Sequence, residues 1–197
     1  MSEVKIPQTP PRPRHAASLV LIRRRPEGLQ VLMGKRPRRS RFAPDVFVFP
    51  GGGVEAVDYA AQPLRPLDPD CARRTGATPL LAEALAAAAL RETAEETGVR
   101  LPDDHGALKL LARAITPTNS PIRFHARFFM TEVDTADTDH EDSHELTDLG
   151  FRTIEEALRL PLMDVTQTML ETLQRSTDAA PFLWAYRRQK PYQRVLD

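Results

Sequence analysis

The spacing of apolar and polar residues predicts a series of short strands around one long helix. An apolar run over 16–22, a charged turn and a second apolar run over 29–33 are typical of a β-hairpin with a buried face. Further short apolar runs predict strands over 46–49, 108–115, 124–133 and 149–151. This succession of elements favours a mixed α/β (α+β) fold.

The strongest helical pattern covers 80–97, where the good helix formers Ala, Leu and Glu predominate. Thr78 and Pro79 are a typical N-cap and first helical residue, and Gly98 is a typical C-terminal stop. We predict two further helices, over 153–160 and 164–175.

The length of 197 residues suits one domain with additions. Residues 1–14 are polar and proline-rich, which predicts a flexible tail; we expect the domain over 15–180 and a C-terminal extension over 181–197. Residues 58–77 contain Pro and Arg without a clear period, which predicts an insertion loop. Because no apolar run approaches the length of a bilayer span, we expect a cytoplasmic protein that contacts no membrane.

Charge is segregated along the chain although its formal sum is zero. Lys and Arg total 27, as do Asp and Glu, which excludes a uniformly basic nucleic-acid coat and an acidic disordered chain. Basic residues gather over 1–41 and acidic residues over 132–156. The basic region lacks interleaved aromatic residues for base stacking, so we expect a small anionic partner and no nucleic acid. The single Cys71 excludes an internal disulfide and a cysteine-based zinc cluster.

Three carboxylates near the end of the long helix share one face. Glu92, Glu95 and Glu96 stand at positions i, i+3 and i+4, where like charges repel by roughly a few tenths of a kcal/mol per pair. Hard cations such as Mg²⁺ and Mn²⁺ prefer several oxygen ligands, and this face supplies them. Arg91 precedes Glu95 by four residues and is placed to brace its carboxylate. The alternative is a solvated acidic face with one ion pair.

A glycine turn over 49–55, Phe-Pro-Gly-Gly-Gly-Val-Glu, precedes this face and can approach phosphate or metal closely. With Glu83 and the run 91–99, Arg-Glu-Thr-Ala-Glu-Glu-Thr-Gly-Val, it resembles the Nudix box. The resemblance implies an α/β/α sandwich with a mixed central sheet. It also implies an enzyme that uses Mg²⁺ or Mn²⁺ to hydrolyse the diphosphate linkage of a nucleoside diphosphate derivative.

Counting from the two halves of the box gives two different residues for its first acidic position. Counted forward from Gly52 that residue is Asp58, whereas counted back from Arg91 it is Glu83. An insertion therefore splits the box. We expect Glu83 to extend the acidic face of the helix, and either Asp58 or Glu83 fills the first position.

The resemblance also implies roles for individual residues. The implied metal ligands are Glu92, Glu95, Glu96 and a backbone carbonyl of the glycine turn, for which we choose Gly52. Arg91 would orient Glu95 for catalysis. The general base would be a box glutamate or a carboxylate of a later loop, for which Glu145 is the candidate. The alternative for Glu145 is an exposed acidic loop without catalytic function.

Several residues are candidates for gripping phosphate, because the guanidinium fork of arginine matches phosphate oxygens. These candidates are Arg36, Arg39, Arg41, Gly51 and Arg123. The alternative for the arginines before the glycine turn is a solvated basic loop. Arg123, His125 and Arg127 would share one strand face, where they meet either phosphate or solvent.

The order of residues over 34–52 resembles the coenzyme A and acyl-CoA diphosphatase branch, which favours those substrates over ADP-ribose or a dinucleotide. The alternative function is a non-catalytic sensor of a nucleotide-like ligand. The complete set of box glutamates favours the enzyme, since a sensor does not need all of them. We expect Trp184 and Tyr186 to pack on the core, or on the partner subunit of a homodimer, rather than to stack on a base.

Overall fold

A computed structural model describes residues 9–40, 42–61, 66–101, 107–133, 140 and 142–197. Within them, nine strands are β1 (Arg14–Arg25), β2 (Gly28–Lys35), β3 (Phe47–Val48), β4 (Gly51–Gly53), β5 (Lys109–Ile115), β6 (Phe124–Glu132), β7 (Thr147–Thr153), β8 (Phe182–Arg187) and β9 (Lys190–Val195). Five helices are α1 (Ala56–Ala60), α2 (Pro69–Arg74), α3 (Pro79–Thr97), α4 (Ile154–Leu158) and α5 (Asp164–Arg175).

The strands form one mixed sheet with β1 near its centre. The order is β3-β2-β1-β6-β5-β8-β9, while β4 pairs with β1 and β7 pairs with β2. The pairs β1–β6 and β5–β8 are parallel, and the remaining pairs are antiparallel. The prediction of a mixed α/β fold with a mixed central sheet is therefore confirmed.

Helices cover both faces of the sheet, and each face has its own core. On one face, the small residues Ala82, Ala86 and Ala89 let α3 approach Leu19 and Phe129 closely. On the other face, α5 contributes Val165, Met169, Leu170 and Leu173, which pack on alternate strand residues such as Val20 and Phe128. Among the described residues, no helix is long and apolar enough to cross a membrane.

The long helix begins and ends at the residues that the sequence predicts. The Thr78 side chain accepts a hydrogen bond from the Leu81 amide, and Pro79 is the first helical residue. Gly98 ends the helix at φ 75°, a left-handed conformation that glycine adopts without steric cost. The helix α5 also has the predicted bounds.

The structure corrects two other expectations about the elements. Parts of the stretch 58–77, expected as a loop, form helices α1 and α2. Asp68 and Pro69 provide the N-cap and the first residue of α2, and this pair is a helix start signal in the sequence itself. The expected extension 181–197 contains β8 and β9, and β8 pairs with β5 inside the sheet. Of the expected tail, residues 1–8 lie outside the described part of the chain.

Candidate active site

The glycine turn and the C-terminal half of α3 meet at one end of the sheet. The strand β4 pairs antiparallel with the start of β1, which places Gly51 opposite Ser18. The Gly51 amide donates a hydrogen bond of 2.8 Å to Oε2 of Glu96. A Cβ atom on Gly52 would lie 2.4 Å from the carboxylate carbon of Glu92. Glycine is therefore required at Gly52 if Glu92 is to lie against the backbone.

Arg91 connects most of the acidic groups of this site. Its Nη1 donates to Oε1 of Glu92 at 2.9 Å and to Oε2 of Glu95 at 3.0 Å. Its Nη2 donates to the carbonyl oxygen of Gly53 at 3.2 Å, which ties the helix to the glycine turn. The remaining contact is a two-pronged ion pair with Asp58, at 2.9 and 3.0 Å.

The structure places Asp58, rather than Glu83, beside the box arginine. Asp58 is only 3% exposed, and its Oδ2 also accepts the Glu55 amide at the start of α1. Glu83 does not extend the acidic face: its carboxylate accepts the Leu67 amide at 3.2 Å. Nine residues separate Glu83 from Glu92, and that spacing puts the two on opposite sides of a helix with 3.6 residues per turn.

The negative charge of the carboxylates at this site exceeds the positive charge that the described residues place beside them. Glu96 is 4% exposed, and its pKa is raised to about 7, chiefly by burial and also by the charges of Glu92 and Glu145, against the opposing Gly51 hydrogen bond. Burial also raises the pKa of Glu92, with Glu95 and Glu145 acting in the same direction. A bound cation would relieve both the desolvation and the repulsion.

The donor set fits a hard divalent cation, although its members make other contacts in this structure. Among the described residues, no three acidic, histidine or cysteine side chains already form a metal-binding group. The reason is visible in the contacts, because Glu92 and Glu95 bind Arg91 while Glu96 binds the Gly51 amide. The oxygens available are nevertheless those that Mg²⁺ and Mn²⁺ prefer.

A cavity of about 390 Å³ opens beside these carboxylates. One end is formed by the glycine turn together with Glu96, Glu145 and Arg36. The rest of its wall is largely apolar and includes Phe42, Phe124, Phe128, Met163 and Trp184. The cavity therefore joins a charged end suited to phosphate and metal to an apolar end suited to a ring or chain.

The predicted phosphate-binding arginines occupy different places. Arg36 lines the cavity, and its Nε donates to the carbonyl oxygen of Phe42 at 3.1 Å. Arg39 is exposed and donates to the carbonyl oxygen of His144, next to Glu145. Arg123 does not line the cavity; it donates to the carbonyl oxygens of Pro11 and Thr116 and ties these loops together. Arg41 lies outside the described residues.

Two aromatic residues of β8 contribute to the wall of the cavity. Trp184 and Tyr186 both line its wall, and Trp184 packs partly against the core beneath α5. The Tyr186 hydroxyl donates a 2.6 Å hydrogen bond to Oδ2 of Asp164 at the start of α5. Asp164 and Phe42 also line the cavity. No local sequence signal predicts that position for either residue.

The comparisons with known proteins agree with this geometry. Residues 13–173 match the NUDIX domain model, so the chain belongs to the NUDIX domain family. The chain is a Nudix-type hydrolase, a class that acts on nucleoside diphosphate derivatives in general. No curated protein matches the sequence.

Several solved structures share the fold. A NUDIX hydrolase from Alicyclobacillus acidocaldarius is 26% identical, with a TM-score of 0.65 over 82% of this chain and 91% of that chain. The NUDIX domain of Shewanella oneidensis NrtR, solved with ADP ribose, is 15% identical, with a TM-score of 0.59 over 89% and 98%. A C. elegans Ap4A hydrolase is 17% identical, with a TM-score of 0.50 over 82% and 96%.

Proposed function

We propose that this protein is a Mg²⁺- or Mn²⁺-dependent hydrolase that cleaves the diphosphate linkage of a nucleoside diphosphate derivative. The observation that carries the proposal is the position of the cavity, whose charged end contains Glu96, Glu145 and the glycine turn. Hydrolysis of a diphosphate requires charge neutralisation at the phosphates and an acceptor for the proton of the attacking water. Both kinds of group are available at this end.

The proposed metal ligands are Glu92, Glu95, Glu96 and the carbonyl oxygen of Gly52. When bound there, the metal would neutralise phosphate charge and lower the pKa of the attacking water. Arg91 holds Glu92 and Glu95 in place from the outer side, through hydrogen bonds of 2.9 and 3.0 Å.

Glu145 is the proposed general base. It lines the cavity, and its charge raises the pKa of both Glu92 and Glu96, so it faces the same space. Its side chain remains largely open to solvent, with its carboxylate 3.4 Å from Nε2 of His144. A carboxylate in this position can take the proton from water and release it to solvent.

Substrate recognition is proposed to combine Arg36 with the aromatic wall. Arg36 lines the charged end, where its guanidinium can meet a phosphate, and Trp184 and Phe124 line the apolar end. Coenzyme A and acyl-CoA are favoured by the residue pattern over 34–52. ADP-ribose and dinucleotides are the other candidates, and their support comes from the NrtR domain solved with ADP ribose and the Ap4A hydrolase.

A substrate screen tests the proposal. Purified protein with Mg²⁺ or Mn²⁺ is offered CoA, acetyl-CoA, ADP-ribose, Ap4A and a nucleoside triphosphate, and the products are identified by mass spectrometry. We expect CoA or acetyl-CoA to be split at the diphosphate into two phosphomonoesters, with no turnover in EDTA. Absence of turnover for every compound, with a folded protein, would contradict the proposal.

A pair of matched variants connects turnover to the site. Glu96→Gln removes a charged ligand while keeping the shape of the side chain, so kcat/KM should fall by about 100-fold or more. Glu171→Gln, on the exposed face of α5, makes the same chemical change far from the cavity and should remain within twofold, roughly the scatter of such measurements. Equal activity in both variants would remove Glu96 from the metal site.

A further inference from the structure

Four basic or imidazole side chains form a cluster on the α3 face of the sheet, away from the cavity. The cationic cluster, as we call it, consists of Arg113 in β5, His125 and Arg127 in β6, and His15 in β1. Arg113 and Arg127 are direct partners in the β5–β6 register, and His15 and His125 are direct partners in the β1–β6 register. Side chains at such positions point to the same face and lie close together.

Arg127 is the most buried member of this cluster and is only 1% exposed. Its Nη1 donates to the carbonyl oxygen of His125 at 2.8 Å and to Nδ1 of His15 at 3.1 Å, while its Nε donates to the carbonyl oxygen of Thr75. These acceptors are neutral, so they satisfy hydrogen bonds without cancelling the buried charge. An uncompensated buried charge is unfavourable for the folded protein.

The neighbours of Arg127 add to the positive charge. Within the described residues, the electrostatic influences on Arg113 and Arg127 come from other arginines and from burial, and no carboxylate pairs with either of them. Arg194, on β9, which is separated from β5 by β8, acts on Arg113 in the same unfavourable sense. Asp70 of α2, on the segment that leads to Thr75, already pairs with Arg73 and Arg74.

The lowered pKa values in the cluster agree with this excess of positive charge. Burial, followed by the charges of Arg127, Arg113 and His15, lowers the pKa of His125 to about 3. Burial and then Arg113 lower the pKa of Arg127 to about 10. Like charges placed directly opposite each other in a sheet destabilise it.

Gly76 and His15, which border the cluster, are both exposed, so a small ligand would approach from their side. Gly76 has φ 62°, and a Cβ atom there would lie 2.4 Å from Nη1 of Arg113, so the bare glycine backbone leaves room for the guanidinium. Because arginine only donates, Nδ1 of His15 is the acceptor in its contact with Arg127. A neutral His15 therefore carries its proton on Nε2, which is one more donor.

This cluster is separate from the active-site cavity. In β6 the cavity is lined by Phe124, Ala126 and Phe128, whereas the cluster uses the intervening residues His125 and Arg127. Successive residues of a strand point to opposite faces, so these two sets of β6 side chains lie on opposite faces of the sheet.

We propose that the cationic cluster binds a phosphate-type oxyanion at a site separate from the catalytic centre. A phosphate dianion has two negative charges and tetrahedral oxygens, so it matches two guanidinium groups better than a single carboxylate does. A carboxylate would leave one cation unpaired. The ligand would be inorganic phosphate or the terminal phosphate of a nucleotide. This site does not depend on the proposed hydrolysis, since it shares no side chain with the catalytic centre.

Histidine ring NMR on the full-length protein in EDTA tests the proposal. Inorganic phosphate or AMP is titrated, with NaCl at matched ionic strength as the control for screening. We expect saturable shifts of the His15 and His125 ring signals with phosphate and not with NaCl. Saturation by both phosphate and AMP supports a site open to nucleotides, and saturation by phosphate alone supports the free ion. An absence of saturable shifts would overturn the proposal.

Matched variants locate the binding. Arg113→Gln should weaken phosphate binding by about tenfold or more, because it removes one charged fork. Arg100→Gln, an exposed arginine just beyond the C-terminus of α3, should leave the affinity unchanged. If Arg113→Gln does not fold, Arg194→Gln at the exposed edge should still weaken binding by about twofold to threefold. Equal affinities in the cluster variants and Arg100→Gln would overturn the proposal.

Discussion

Among single residues, Arg91 makes the contacts that hold the acidic site together. Its guanidinium binds Asp58, Glu92 and Glu95 as well as the Gly53 carbonyl, and its hydrogen bond to Asp58 is the largest influence that raises the pKa of Arg91. Asp58 is nearly buried while Arg91 reaches solvent in part. Loss of the aspartate charge would therefore loosen the arginine and, through it, the two glutamates.

Asp58→Asn should lower the free energy of unfolding by about 3 kcal/mol, the lower end of the range for breaking a buried ion pair, because Arg91 is partly solvated. Hydrolysis should fall by about 10-fold to 100-fold as the glutamates lose their alignment. Urea unfolding and steady-state kinetics measure the two effects.

Glu83→Gln is the control for that experiment, because among the described residues Glu83 accepts only the Leu67 amide, and glutamine keeps an acceptor oxygen. Its stability should change by less than about 1 kcal/mol and its activity by less than twofold. Should Glu83→Gln be the more damaging of the two variants, the assignment of Asp58 to the first acidic position would be wrong.

The buried Glu96 predicts a pH dependence of stability in the metal-free protein. Its pKa is about 7 in the folded state against an ordinary value of 4.5, so between these values the folded state binds more protons than the unfolded state. The free energy of unfolding should therefore fall as pH rises, by about 3 kcal/mol in total from this group. Urea unfolding in EDTA at several pH values measures the slope.

Glu96→Gln should reduce that slope between pH 4.5 and about 7, because glutamine does not titrate. Mg²⁺ or Mn²⁺ should stabilise the unmodified protein more at high pH than at low pH, since the ligands must be deprotonated. A slope that is the same in both proteins would show that the pH dependence arises from other groups.

At the scale of elements, the contact between β4 and α3 decides the shape of the site. Both elements were predictable in part: capping signals predict α3, and the run of three glycines predicts a turn. The sequence pattern does not show how closely β4 and α3 approach each other. Gly52 lies against the Glu92 carboxylate, whereas no atom of the described part of the chain lies within 4 Å of a Cβ atom placed on Gly53.

Gly52→Ala should therefore lower kcat/KM by about 100-fold, because the new methyl group displaces Glu92. The folded structure should persist, since the group that must move is the end of a side chain. Gly53→Ala is the matched control and should retain near-normal activity. Kinetics of both variants, with circular dichroism to check folding, make the comparison, and equal losses would contradict the close approach at Gly52.

For the whole molecule, the C-terminal hairpin is part of the sheet rather than an appendage. The strand β8 pairs with β5, and Phe182 is 1% exposed in the core beneath α5. The same strand brings Trp184 and Tyr186 to the cavity. Stability and the shape of the cavity are thus connected through one strand.

Phe182→Ala should cost about 3–5 kcal/mol of unfolding free energy, the usual range for removing a buried phenylalanine. Tyr192→Ala, in the partner strand β9, is the control because Tyr192 is 41% exposed, and it should cost less than about 1 kcal/mol. Thermal or urea unfolding distinguishes them. A small cost for Phe182→Ala would mean that the hairpin is a loosely attached extension after all.

The sequence by itself determined the features that are encoded locally. The capped helix α3, its acidic face and the family resemblance all depend on residues within a few turns of one another. The mixed α/β fold followed from the same patterns, because hydrophobic periodicity distinguishes strands from helices over short windows.

Only the tertiary structure decided which distant residues meet. Asp58 and Arg91 are 33 positions apart, and an insertion of unknown path made Asp58 and Glu83 equal candidates until the chain was folded. The cavity wall joins β1, β5, β6, β8 and α5, and the partners of Arg127 come from β1, from β6 and from Thr75 after α2. Such contacts depend on strand order and register, which are set by packing over the whole chain rather than by any local run of residues.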